Sequence, residues 1–157
     1  MHEINEYSND HALFLAQLKA LIEDEPDFLA NMANMASLIY HTFDRLNWSG
    51  FYLLKDDQLV LGPFMGKPAC TRIRLKDGVC GKAARTREVQ NIVDVHAFEG
   101  HIACDSASNS ELVIPIVEDD RLIGVLDIDS VDFGRFGPLD QSTMIEAVNI
   151  LIKRKKG

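Results

Sequence analysis

The sequence predicts an α+β fold in which an antiparallel sheet of about six strands has helices packed against it. Apolar residues recur at helical spacing near both ends of the chain, whereas the middle contains short segments rich in alternating or aromatic residues. Two pairs of these segments are separated only by short acidic turns, at Asp56-Asp57 and at residues 118–120, and such hairpins join antiparallel strands. We therefore expect one domain spanning residues 1–157, built as helices, sheet and a closing helix.

Helical spacing of apolar side chains identifies the helices. In the first helix Leu13, Phe14, Leu18 and Leu21 recur at this spacing, and Pro26 stands where a second helix would begin. A short helix is expected after the glycine at position 78, and a long one closes the chain. The expected helices cover residues 10–23, a segment starting near 28, residues 79–87 and residues 138–153.

The strands follow from aromatic content, alternation and turn residues. The first is aromatic-rich and returns through the Asp56-Asp57 turn, the third alternates, and the last two form the second hairpin. The expected strands cover residues 48–54, 58–61, 69–75, 91–95, 112–117 and 122–128.

Composition indicates an ordinary soluble globular protein. Hydrophobic residues make up 46% and charged residues 25% of 157 residues, and no apolar run approaches the ~20 residues of a membrane-spanning helix. The first thirty residues contain acids and no basic-then-apolar pattern, so no signal peptide is expected. The expected location is the cytosol.

The net charge of -8 argues against nucleic acid as a partner. Nucleic-acid-binding proteins usually carry a basic face, because contacts with phosphates supply much of their affinity. The one basic run, residues 153–156, is interpreted as the solvated end of the last helix, where cations interact favourably with the helix dipole.

Three cysteines, Cys70, Cys80 and Cys104, leave three interpretations open: core packing, metal ligation or redox catalysis. An odd number of cysteines without a secretory signal does not indicate a structural disulfide framework. A zinc site is weakly supported, since His101 and Cys104 form one close pair and structural zinc sites usually contain two. We expect no metal and no organic cofactor.

The segment from Val95 to Ser110 shows neither helical nor strand periodicity. Loops of this length within compact domains are usually functional or disordered. This one contains a histidine, a cysteine and several hydroxyl and amide groups, which would surround a small anion such as a carboxylate. We interpret it as a functional loop.

Three carboxylates are expected to lie together: Glu111, Asp127 and Asp129. Residues two apart in a strand share a face, so Asp127 and Asp129 point the same way. If the hairpin turn is the three residues 118–120, Glu111 lies directly opposite Asp127. Such a cluster is unfavourable unless a cation binds or a carboxyl group is protonated. The alternative is that the two aspartates simply end a strand in water.

Trp48, Gly50 and Tyr52 also share one strand face. Two aromatic residues around a glycine suggest a shallow slot where a ligand approaches the backbone. The alternative interpretation, half-buried core, is at least as well supported by the pattern alone.

Taken together, these segments resemble the free methionine-(R)-sulfoxide reductases, a branch of the GAF domains. The resemblance extends from about Trp48 to Asp140 and departs from the family at Glu99, where a proline is usual. It implies a GAF-type fold. The segments that carry it are residues 48–53, 61–64, 69–70, 78–81, 100–106, 110–111 and 124–130.

The resemblance assigns the chemistry to cysteines. It implies that Cys104 attacks the sulfoxide sulfur to give methionine and a cysteine sulfenic acid. Cys70 then forms a disulfide with Cys104, and thioredoxin reduces it. Cys80 is a third thiol that relays or supports this disulfide.

The remaining site residues and partners also follow from the resemblance. Glu111, Asp127 and Asp129 would polarise the sulfoxide oxygen and hold the substrate ammonium, and Trp48 and Tyr52 would surround the methyl group. Backbone amides of the loop, including those of Ala103 and Asp105, would contact the substrate carboxylate. Expected partners are free methionine-(R)-sulfoxide, thioredoxin and a second copy of the chain.

Two other classes of function remain. One is a non-catalytic GAF module that binds a small ligand, and the other is a redox sensor whose cysteines form a disulfide without turnover. The carboxylate trio distinguishes them from the reductase, because a simple thiol switch has no need of it.

Overall fold

The computed structural model describes residues 2–102, 104 and 106–156. It contains four α-helices, six strands and one short 3₁₀ helix in the described residues. The helices are α1 (His2–Ile22), α2 (Phe28–Thr42), α3 (Gly78–Thr86) and α4 (Pro138–Lys156), with the 3₁₀ helix at Val95–Ala97. The strands are β1 (Leu46–Lys55), β2 (Gln58–Gly66), β3 (Arg72–Arg74), β4 (Gln90–Ile92), β5 (Ser110–Glu118) and β6 (Arg121–Ser130).

The six strands form one antiparallel sheet in the order β3-β2-β1-β6-β5-β4. Each hairpin places neighbouring strands side by side, and the central pair, β1 and β6, joins the two hairpins. The approach of these two strands is close at Gly124, where a Cβ atom would lie 2.1 Å from the Tyr52 carbonyl oxygen. This architecture confirms the predicted α+β class and the antiparallel sheet of about six strands.

The sheet separates two groups of buried apolar residues. On one face, side chains such as Phe51, Leu112 and Leu126 pack with α1, α2 and α4 in the larger core. On the other face, Val113 and Val125 pack with α3 in the smaller core. Because successive strand residues alternate between faces, the odd-numbered residues of β5 and β6 around these valines point towards α3. Three acidic residues belong to that set: Glu111 of β5, and Asp127 and Asp129 of β6.

Several elements have different bounds from those predicted. Strand β3 contains only three residues, because residues 69–71 form a connection rather than a continuous strand. Strand β4 ends at Ile92, and Asp94 then caps the 3₁₀ helix by accepting a hydrogen bond from the His96 amide. Helix α1 begins eight residues earlier than predicted, at His2.

The predicted register of the β5–β6 hairpin is wrong. Its turn has two residues, Asp119 and Asp120, both with positive φ as tight hairpin turns require. A β-bulge next to Ile116 then shifts the ladder, so that Glu111 lies opposite Asp129 and not Asp127. A two-residue turn alone would send Glu111 to the larger core, and the extra residue of the bulge restores it to the face of Asp127 and Asp129.

Within the part of the chain that the structure describes, none of the helices combines the length and apolar character needed to cross a membrane.

Candidate active site

A small cavity of about 40 Å³ lies between α3, the centre of the sheet and the segment at residues 101–108. On this measure one water molecule needs roughly 10–15 Å³, so the cavity has room for about three. Seven of the residues predicted for the site line it. They are Trp48, Tyr52, Cys80, Cys104, Glu111, Asp127 and Asp129. Ala103 and Asp105, also predicted to bind substrate, lie outside the described residues.

Each element brings its residues to the cavity through strand alternation or helix position. Glu111 is the second residue of β5, and Asp127 and Asp129 stand near the end of β6 on the same face. Cys80 lies in the first turn of α3, which packs over that face. The cavity thus has an acidic wall contributed by the sheet and a thiol contributed by the helix.

The carboxyl groups are strongly buried, with exposures of 7% for Glu111 and 5% for Asp127. Burial raises the pKa of Asp127 well above its usual range, and the charges of Asp129 and Glu111 raise it further. Burial also raises the pKa of Glu111. These shifts favour the protonated form of the carboxyl groups, which is the condition for a carboxyl group to act as an acid.

Cys80 is a free thiol in the same cluster. Its Sγ lies 3.8 Å from Glu111 Oε2 and donates a hydrogen bond to that oxygen. Burial raises the pKa of this thiol, and the charges of Asp127 and Glu111 act in the same direction. The thiol form is favoured, so Cys80 is a weak nucleophile in this arrangement.

Cys70 and Cys104 form a disulfide, with their Cα atoms 5.4 Å apart. It links the connection between β2 and β3 to the segment at residues 101–108. These are the two cysteines that the family resemblance pairs. Both sulfur atoms are therefore engaged, and the zinc grouping of His101 with Cys104 is not formed.

Trp48 and Tyr52 form an aromatic wall beside the disulfide. Their rings stack with centroids 5.8 Å apart, and the Tyr52 hydroxyl donates a hydrogen bond of 2.8 Å to the Cys70 carbonyl oxygen. The Trp48 indole N–H donates to the Lys67 carbonyl oxygen at 3.1 Å. Both side chains therefore hold the backbone that carries Cys70 as well as lining the cavity.

Core packing, the interpretation that the pattern by itself favours, is observed at Gly50, and the alternative of a ligand slot is not. A Cβ atom at Gly50 would lie 2.3 Å from Phe64 Cβ and 2.7 Å from the Trp48 ring. Phe64 occupies this space because β2 places it directly opposite Gly50, and its ring stacks on Trp48. The glycine permits tight packing between β1 and β2 and does not contact the cavity.

The loop predicted from Val95 to Ser110 contributes His101, Ile102 and Ser108 to the cavity lining. It is anchored to the start of α3 by a hydrogen bond from the Gly78 amide to the Gly100 carbonyl oxygen. His101 is near enough to Glu111 for its charge to oppose the rise in the Glu111 pKa. From the sequence, His101 is a possible zinc ligand and one of the loop groups near a small anion. Its proximity to Glu111 depends on how the loop packs, which periodicity does not predict.

Comparison with known proteins places these features in a family. A family model described as "GAF domain" matches residues 30–150. The chain is 54% identical over 134 residues to the free methionine-R-sulfoxide reductase of Escherichia coli (strain K12), covering 85% of this chain and 81% of that protein. The protein of the same description from Saccharomyces cerevisiae is 38% identical over 147 residues, covering 88% and 82%.

A solved structure agrees with this relationship. The free methionine-R-sulfoxide reductase of Neisseria meningitidis, determined in complex with its substrate, superimposes with a TM-score of 0.89 at 42% identity. The match covers 93% of this chain and 90% of that one. The similarity therefore extends over nearly the full length of both chains.

Proposed function

Because the chain belongs to the free methionine-R-sulfoxide reductases, a family of GAF domains, we propose that it reduces free methionine-(R)-sulfoxide to methionine. The reducing groups are its own cysteine thiols, and no metal or organic cofactor is needed. The observation that carries this proposal is the Cys70–Cys104 disulfide at a cavity lined by three acidic side chains. A redox-active cysteine pair and an acid source are the two requirements of sulfoxide reduction by thiols.

In the first step, the thiolate of Cys104 attacks the sulfoxide sulfur. A protonated carboxyl group of the cluster Glu111, Asp127 and Asp129 donates a proton to the sulfoxide oxygen. The oxygen is transferred from the substrate sulfur to Cys104 Sγ: the substrate S–O bond and the bond between the two sulfur atoms break, and a bond between Cys104 Sγ and oxygen forms. Methionine leaves, and Cys104 is left as a sulfenic acid. The raised pKa values of Glu111 and Asp127 favour such a donor at neutral pH.

In the second step, the Cys70 thiol attacks the Cys104 sulfenic acid. The disulfide forms and water leaves. A dithiol protein of the thioredoxin type then reduces the disulfide by thiol–disulfide exchange, which returns both thiols. Cys80, the third thiol, would support this exchange from inside the cavity. A reducing compartment such as the cytosol supplies the partner.

The proposed substrate is the free amino acid because of the acidic wall. A free α-ammonium group would pair with carboxylates there, and loop amides would bind the α-carboxylate. A peptide-bound residue lacks both charges and would leave buried polar groups unpaired, at a cost of about 1–3 kcal/mol each. The cavity of about 40 Å³ is much smaller than a usual ligand pocket, so substrate binding requires opening of the disulfide and movement of the adjoining segment.

We also propose that the chain forms a homodimer. Leu13 and Leu21 of α1 and Leu29 of α2 are exposed apolar side chains that an interface would cover. Light scattering of the purified protein would show twice the chain mass if this is correct and the chain mass if it is not.

The test of the function is a coupled assay with thioredoxin, thioredoxin reductase and NADPH. Free R-sulfoxide, free S-sulfoxide and a peptide containing methionine sulfoxide are compared. We expect NADPH oxidation with the free R form alone, and a loss of activity of at least a thousandfold in Cys104→Ser. Chemical reduction of the protein before the assay ensures that it starts with free thiols.

Two outcomes would contradict the proposal. No turnover of any sulfoxide by the reduced protein would favour a ligand-binding or redox-sensing GAF module. Comparable turnover of the peptide would overturn the role of the acidic wall in selecting the free amino acid.

A further inference from the structure

Cys80, Glu111 and Asp127 form a buried cluster of one sulfur and two carboxyl groups beside the disulfide. One potential ligand atom from each of the three lies within 4.8 Å of the other two. All three residues are buried, and Asp127 Oδ1 has no hydrogen-bond partner among the described residues. A buried carboxylate oxygen without a donor is costly unless it binds something.

The set of donor atoms suits zinc. Zinc binds cysteine sulfur at about 2.3 Å and carboxylate oxygen at about 2.0–2.2 Å, and tetrahedral geometry then places sulfur and oxygen roughly 3.5 Å apart. The separation of 3.8 Å between Cys80 Sγ and Glu111 Oε2 is already close to this value. A carboxylate oxygen of Asp127 lies within 4.8 Å of a ligand atom of each of the other two residues. Magnesium and calcium prefer oxygen ligands alone, so the sulfur favours zinc over them.

We propose that Cys80, Glu111 and Asp127 bind one zinc ion at the base of the cavity. The three side chains lose their protons and become ligands, and the fourth position of the ion faces the cavity, where water completes the coordination. The site does not use either redox-active cysteine, because their sulfur atoms are joined to each other. The proposed site is therefore available in the disulfide form of the protein and, because none of its ligands belongs to the disulfide, in the reduced form as well.

This site has a consequence for turnover, and that part of the inference rests on the proposed function. Zinc would occupy the carboxylates that hold the substrate ammonium and would remove the proton that the sulfoxide oxygen needs. It would therefore inhibit the reductase in competition with the sulfoxide. The ion would be an inhibitor and not a cofactor.

The binding test uses the disulfide form of the full chain, in which Cys80 is the free thiol. Zinc is titrated in competition with a chromogenic chelator, and cobalt(II) is added in parallel as a spectroscopic substitute. We expect one equivalent of zinc and a thiolate-to-cobalt charge-transfer band. Cys80→Ser should abolish the band, and Cys80→Ser and Asp127→Asn should each weaken zinc binding at least tenfold. Asp94→Asn, at an exposed aspartate outside the cavity, is the matched control and should bind like the parent.

Absence of zinc binding by the folded disulfide form would overturn the inference, as would unchanged binding in both Cys80→Ser and Asp127→Asn. Circular dichroism establishes that each variant is folded. Because Cys80 lies in α3 and Asp127 in β6, the test can still be made with one variant if the other does not fold. The binding result does not depend on catalysis, so it stands even if the protein reduces no sulfoxide. If it does reduce free methionine-(R)-sulfoxide, zinc should raise the apparent KM for the sulfoxide. Failure to inhibit would overturn the competition but not the reductase activity.

Discussion

Asp127 shows how burial makes a single residue costly to the fold and useful to the site. It is 5% exposed and lies beside two further acidic side chains, so its ionisation is opposed by low solvation and by repulsion. Aspartate side chains are rarely buried to this extent in natural protein cores. A group of this kind is therefore expected to contribute to activity and to lower stability.

We predict that Asp127→Asn alters the pH dependence of stability. The pKa of Asp127 is raised on folding, so the native state keeps a proton that the unfolded state loses above its ordinary pKa of about 3.8. Between the ordinary and the raised pKa, Asp127 ionises in the unfolded state only, which stabilises that state and lowers the free energy of unfolding as pH rises. The asparagine variant lacks this loss. The free energy of unfolding of the variant should increase relative to that of the parent as the pH rises above about 4, as measured by urea unfolding with a metal chelator present.

Asp132→Asn is a control of the opposite sign. Arg45 holds the pKa of Asp132 below its usual range, so this variant should lose stability relative to the parent only as the pH rises towards about 4, and the difference should stay constant above that pH. If the free energies of unfolding of Asp127→Asn and its parent differ by the same amount at every pH, Asp127 is ionised in the native state throughout.

Turnover of the free sulfoxide by Asp127→Asn should fall roughly a hundredfold.

Among the secondary-structure elements, β1 contributes both to the centre of the sheet and to the position of Cys70. It pairs with β6 at the centre of the sheet, where Gly124 permits the close approach to Tyr52. It also holds the connection between β2 and β3 through the hydrogen bonds of Trp48 and Tyr52. The connection has little regular structure of its own, so the position of Cys70 depends on a strand that is distant from it in sequence.

We predict that Tyr52→Phe slows disulfide formation more than sulfoxide reduction. The ring remains in the cavity wall, but the hydrogen bond to the Cys70 carbonyl oxygen is lost, at a cost of about 1 kcal/mol. Cys70 would then be less often in position, and the second step should slow roughly fivefold. Rapid mixing of reduced enzyme with one equivalent of substrate, followed by trapping of the sulfenic acid with dimedone, measures both steps.

Tyr40→Phe removes a hydroxyl group from α2, away from this cavity, and should leave both rates unchanged. Equal slowing of methionine release and of disulfide formation in Tyr52→Phe would indicate a role in substrate binding and would contradict a positioning role.

On the scale of the whole molecule, a polar network ties the helices to the site end of the sheet. Arg135 bonds Asp140 at 3.2 Å, and the His11 ring nitrogen Nδ1 lies 2.6 Å from the Thr143 hydroxyl, which joins α1 to α4. The Arg135 backbone amide donates to the Ser110 hydroxyl, next to Glu111. The network therefore fixes the position of β5 relative to the helices.

We predict that Arg135→Met lowers the free energy of unfolding by roughly 3 kcal/mol, because it removes the guanidinium group that pairs with the buried Asp140 carboxylate. Asp44→Asn is the matched control: Asp44 also contacts Arg135, but its side chain is 89% exposed, so the loss should be below about 1 kcal/mol. Urea unfolding measures both changes. If both variants lost a similar amount of unfolding free energy, the stabilisation would come from the exposed contact between Arg135 and Asp44 and not from the buried one with Asp140.

The sequence by itself determined the fold class, the faces of the strands and the family. These properties depend on local features: helical and alternating periodicity, turn residues, and segments whose order is specific to the family. Alternation alone placed Asp127 and Asp129 on one face, and the confirmed fold leaves them there. Where local features were weak, as in residues 69–75, the predicted strand was longer than the observed one.

Only the tertiary structure decided the register and the contacts of the site. The two-residue turn and the bulge together place Glu111 opposite Asp129, and no periodicity reveals a bulge because it adds one residue without changing the pattern on either side. Phe64 fills the space over Gly50, and the Cys80 thiol donates a hydrogen bond to Glu111. Both contacts arise because packing brings together residues that are remote in the chain. Distances between such residues depend on how strands and helices pack, and that packing is a property of the whole fold.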